Sequence, residues 1–224
     1  MTNASYGRLT VGIIAAWFAF AFSASALHVF ETKPGAPPLP VGISALAPIV
    51  VFLIWFAASA SFRRFTLSLN PSTLTFVQSW RIAGLTFLTL YAIGLLPGFF
   101  ALPAGLGDIA IGATAPWAAL KLANFSHRRG FLFWQVLGMI DLVTAVTSGT
   151  TAGLISPHGV PTAVMTVLPM SLIPTFAVPL FFILHIICIA QARHWKAVRD
   201  SEVEERFPAA AEAGPRMNGL SGAA

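Results

Sequence analysis

Apolar runs of about twenty residues recur along almost the whole chain, separated by short polar or proline-bearing breaks. The first covers 9–30 and gives way to Glu31-Thr32-Lys33-Pro34-Gly35. The second covers 41–62 and stops at Arg63-Arg64. Further runs occupy 81–100, 102–122, 131–154 and 162–192. A bilayer core of ~30 Å is crossed by ~20 apolar helical residues, so the pattern predicts an all-α polytopic membrane bundle of six transmembrane helices. Strands of ~10 alternating residues are absent, which excludes a transmembrane β-barrel.

The breaks refine this picture. Residues 65–80 mix Thr and Ser with bulky apolar side chains, with Asn70-Pro71 as a helix breaker and Ser72 as a candidate cap; they read as an interfacial segment. Leu96-Pro97-Gly98 marks a turn with almost no polar loop, so 81–100 and 102–122 are expected as a tight hairpin. Prolines at 169, 174 and 179 should open the outer half of the sixth helix, freeing the carbonyls of Met165, Met170 and Thr175. Residues 200–224 turn acidic and then rich in Ala, Gly and Ser, as a disordered cytoplasmic tail would. A rival reading of the first run is a signal peptide cleaved after Ala24-Ser25-Ala26. The run's length and its extension past that site favour a span.

Composition agrees: 56% of residues are hydrophobic and only 9% charged, too few to coat a soluble surface. The single cysteine, Cys188, can form no intrachain disulfide. The net charge of +5 resides in short clusters between apolar runs, so it reports topology and not nucleic acid. With six spans, all thirteen Lys and Arg residues except Lys33 fall on one side. That asymmetry predicts a plasma (inner) membrane protein with both termini cytoplasmic.

Against this background, ionisable residues inside apolar runs carry the chemistry. Asp108 and Asp141 interrupt the fourth and fifth runs, and a charged side chain facing lipid at depth costs about 3 kcal/mol. Both should therefore face the bundle interior. Helical rise of ~1.5 Å per residue places Arg81 at ~0 Å, His185 at ~9 Å, Asp141 at ~15 Å and Asp108 at ~20 Å from the cytoplasmic boundary. Such steps suggest a proton or ion path, with the Thr175 region adding neutral oxygens. Gly105, Gly107, Gly112 and Gly138 are expected to let helices approach closely. The competing structural reading has the two aspartates hydrogen-bonded to Thr144, Thr114 or Tyr91, Arg81 as an interfacial anchor, and His185 as an ordinary helix contact.

The best functional expectation is a small-solute or proton-linked permease-like protein. One alternative is a membrane haem or electron-transfer protein, in which His28 and His158 could meet at the outer surface, although His28 and His185 lie too far apart in depth to share one iron. Another is a non-catalytic subunit, since helices one and two hold no deep ionisable group and could dock a membrane partner or a second copy. No cofactor or metal is expected. His-Glu-x-x-His, Gly-x-Ser-x-Gly and phosphate-loop patterns are missing, so no catalytic residue is assigned.

Overall fold

The computed structural model describes residues 3–31, 39–155 and 159–206. Among these residues every regular element is helical. Five helical stretches are long and apolar enough to cross a membrane: Ala4–Ala26, Leu39–Ala58, Gly98–Leu122, Phe125–Ala152 and Ile173–Trp195. The chain is thus an integral membrane protein. The break at 32–38, the turn at 156–158 with His158, and the tail beyond 206 lie outside the described residues.

The α-helices are α1 (Asn3–Ala26), α2 (Leu39–Ala58), α3 (Ala60–Leu67), α4 (Pro71–Val77), α5 (Leu85–Ala92), α6 (Gly98–Trp117), α7 (Arg128–Ile155) and α8 (Val178–Arg206). α6 packs against α5 and α7, and α7 against α8. α1 and α2 present apolar side chains outward, among them Val11, Phe20, Leu46 and Ile54, as helices facing acyl chains must.

The largest departure from the sequence reading concerns the third crossing. No single helix covers 81–100. Instead α4, a 3-10 stretch over Gln78–Gly84 and α5 follow one another without a break from Pro71 to Ala92. At 1.5 Å per α residue and 2.0 Å per 3-10 residue this rod is roughly 36 Å long. Its start is set by Asn70, whose side chain accepts from the amides of Ser72 and Thr73 at 2.9 and 3.2 Å, with Pro71 in the first helical position, where a missing N–H costs nothing. Asn70, and not Ser72, is the cap. The rod ends where Gly94 takes a left-handed φ of 77°. There the Gly94 amide donates to Tyr91 O and the Leu95 amide to Leu90 O, the paired bonds of a glycine-terminated helix.

Two neighbouring expectations shift with it. The short amphipathic element is α3, not 65–80: Phe62, Phe65 and Thr66 point inward, Arg63 is half-buried and Arg64 is exposed. The fourth span begins at Gly98, earlier than 102, because Pro97 supplies the extended residue that precedes the helix. The proline-rich 162–177 segment is not α-helical; it forms a 3-10 turn (Ala163–Thr166) and a π turn (Ile173–Ala177) before α8 begins.

α1 closes over this open segment. Trp17 Nε1 donates to Thr175 O at 3.1 Å, taking up the carbonyl that Pro179 denies to the helix. Ser171 Oγ donates to Ser25 Oγ at 2.8 Å. Phe176 packs edge-on against both Trp17 and Phe18. The Ala24-Ser25-Ala26 sequence that resembles a cleavage site is thereby part of the packed bundle, with Ala24 and Ser25 buried.

Candidate functional site

A three-residue period organises the inward face of the Pro71–Ala92 rod. Thr75, Gln78, Arg81, Gly84 and Phe87 are all buried, and the residues between them are exposed or half-buried. A 3-10 helix turns once in three residues, so positions three apart stay eclipsed. At 3.6 residues per turn the same spacing would spiral around the helix. The 3-10 stretch is what lets Gln78, Arg81 and Gly84 share one face.

Glycines bring α6 and α7 onto that face. A Cβ at Gly112 would meet backbone atoms of Arg81 and Ile82, and one at Gly105 would meet Leu88 and Gly84 O. On the other side, a Cβ at Gly107 would collide with the Asp141 carboxylate, and one at Gly138 with the His185 ring and Arg81 Nη1. Each of the four glycines singled out in the sequence thus makes room for a specific neighbour in or beside the polar cluster. Apolar cores flank it along α6. Phe87, Phe100, Ala101 and Ala104 belong to one, and Ile111, Ala115, Ala118 and Trp134 to the other.

Arg81, only 2% exposed, is the hub. Its Nε donates to Asp108 Oδ1 at 2.7 Å and its Nη2 to Asp141 Oδ2. Its Nη1 donates to Gly138 O at 3.2 Å and lies 3.3 Å from His185 Nε2. The two carboxylates retain 14% and 13% side-chain exposure, so each has one edge on guanidinium and another open. Because a guanidinium has no acceptor, the facing nitrogen of His185 must carry the lone pair. The ring's proton then sits on Nδ1 and is donated to Gln135 Oε1. That in turn orients the Gln135 amide, whose Nε2 donates to Thr75 Oγ1 at 3.1 Å. Thr75 Oγ1 lies 3.9 Å from Cys188 Sγ.

The structure therefore joins Arg81, Asp108, Asp141 and His185 in one cluster instead of setting them at graded depths. The rod starts at Pro71, so Arg81 lies buried near its middle and not at the exposed start of a helix. Asp108, Asp141 and His185 lie near the middles of their own helices. Of the proposed hydroxyl partners, Thr114 accepts from Trp134 Nε1 instead, and the Tyr91 ring packs against Gly98. Thr175 stays outside the cluster: its hydroxyl donates to Ser171 O at 2.7 Å and its carbonyl is taken by Trp17. His28 is exposed, in the left-handed position that ends α1, and faces Glu31 at 2.6 Å. Both ring nitrogens of His185 are engaged, Nε2 with Arg81 and Nδ1 with Gln135.

Gln135, Thr75 and Gln78 were not picked out as site residues by sequence reasoning. Their signal is present, however. Gln135, Gly138 and Asp141 mark one stripe of α7, and Thr75, Gln78 and Arg81 recur at intervals of three.

Fold and site together define an integral membrane protein built around a buried arginine shared by two carboxylates. Residues 37–193 match the family described as Domain of unknown function (DUF8737), and the chain belongs to that family. The match takes in every cluster residue. No curated protein and no solved structure matches the chain.

Proposed function

We propose that this protein is a proton-linked permease whose proton site is the carboxylate pair held by Arg81. The observation that carries the reading is the charge imbalance of the cluster. One guanidinium faces two carboxylates, so full ionisation leaves a net negative charge in the middle of the bundle. A charge buried there is costly unless neutralised. One added proton removes it, and the partly open edges of Asp108 and Asp141 give that proton a way on and off. Exchange requires both properties: a site dry enough to want neutrality and open enough to lose it again.

In this reading the rod Pro71–Ala92 is a sixth crossing beside the five long helices. Both termini then lie on the cytoplasmic side of a plasma membrane. The charge pattern supports this. Of thirteen Lys and Arg residues, Lys33 lies on the outer side and Arg81 at mid-depth, and the remaining eleven lie on the inner side, as topology signals do.

Proton flux into reconstituted vesicles under an imposed pH gradient tests the assignment. Wild-type protein should dissipate the gradient. Asp108→Asn and Asp141→Asn should each abolish that activity, because either leaves Arg81 with a single partner and a neutral pair that needs no proton. Unchanged flux in both variants rules the reading out.

A further inference from the structure

We infer that His185 is a third seat for the cluster's proton, kept empty and aimed at Arg81 by Gln135 and Thr75. This rests on the proton-linked reading above and deepens it. Counting charge around Arg81, a protonated carboxyl, a carboxylate and a neutral imidazole sum to zero with the guanidinium. Moving the proton to His185 gives two carboxylates, an imidazolium and the guanidinium, which again sum to zero. The transfer therefore leaves the net buried charge unchanged, although it raises the number of ionised groups around Arg81 from two to four, each of which needs a partner.

The geometry prepares that transfer at one nitrogen. His185, Gln135 and Thr75 are fully buried, and the chain from His185 Nδ1 to Gln135 Oε1 and from Gln135 Nε2 to Thr75 Oγ1 fixes which ring nitrogen is vacant. An amide has one accepting and one donating end, and Thr75 holds the donating end in place. The groups that face the ring are Arg81 from the rod, Trp134 and Gln135 from α7, and, through Arg81, Asp108 and Asp141. Cys188 follows on the same helix, beside Thr75. In the step itself, Arg81 Nη1 swings off His185 Nε2 towards the carboxylates. The O–H bond of the protonated carboxyl breaks, its electron pair stays on that oxygen, and the proton forms an N–H bond on Nε2. Arg81 stays protonated throughout and carries no proton across.

Gln135 is thus a positioning residue, and its role has a spectroscopic signature separate from transport. Nitrogen-15 NMR of histidine-labelled protein, with His185 assigned by its loss in His185→Asn, should show the Nδ1–H tautomer in the wild type. Gln135→Leu removes one of the two groups that set the tautomer, the other being Arg81, so it should weaken that preference and slow proton flux about tenfold. An Nε2–H tautomer or an imidazolium in resting wild-type protein overturns the inference. So does a Gln135→Leu protein whose tautomer changes while its flux does not. The wild-type spectrum needs no variant to fold. A wild-type protein that moves no protons sinks the permease reading itself, and the tautomer stands as a separate result.

Discussion

Replacing Arg81 with leucine is expected to destabilise the protein more than any other single change. Leucine fills much of the volume but leaves Asp108, Asp141 and Gly138 O without their donor, and His185 Nε2 without a partner. Removing one member of a buried ion pair costs about 3–5 kcal/mol, because the charge left behind is uncompensated. For a chain of this size that lowers the unfolding midpoint by on the order of 10 °C. The decisive comparison is the triple variant Arg81→Leu, Asp108→Asn, Asp141→Asn, which removes the stranded charges along with their partner. It should regain most of the lost stability in detergent-solubilised thermal unfolding. Were Arg81→Leu alone as stable as wild type, the arginine could not be holding two carboxylates in the bundle.

The second large effect is expected at Gly112. Its added Cβ would lie 2.9 Å from the Arg81 carbonyl carbon and 3.1 Å from Ile82 Cα. Backbone cannot turn aside as a side chain can, so α6 has to move off the rod. Gly112→Val should cost about 1–3 kcal/mol as overpacking, with loss of the Arg81–Asp108 geometry as a consequence. Gly12 supplies the control, since nothing lies within 4 Å of its would-be Cβ; Gly12→Ala should leave the unfolding midpoint where it is. Equal midpoints for Gly112→Val and wild type would show that the helices are not in contact at this seam.

The chemistry of the site was easier to read in the sequence than its geometry. Asp108 and Asp141 stand out because carboxylates are rare within apolar runs. The glycines stand out because they recur at helical spacing beside them. Arg81 was misplaced for a physical reason: the Thr- and Ser-containing residues 71–80 look interfacial when polarity is summed, yet Thr75 and Gln78 turn inward on a three-residue period. Periodicity of 3.6 hides such a stripe. The proline-broken start of the last crossing was legible from Pro169, Pro174 and Pro179. What satisfies it was not, because Trp17 meets Thr175 O across 158 positions of sequence, and no local rule pairs them.

The central claim is that the cluster carries one exchangeable proton, and infrared spectroscopy of the reconstituted protein reads it most directly. Six of the eight acidic residues lie outside the apolar runs, so the C=O stretch of a protonated carboxyl is assigned to the cluster by its loss when Asp108 or Asp141 is replaced. Wild-type protein should show one such band, shifted on transfer to D2O. Asp108→Asn and Asp141→Asn should each lose it, because the remaining carboxylate balances Arg81 without a proton. A wild type with no protonated-carboxyl band, or a band that survives in both single variants, would contradict the account.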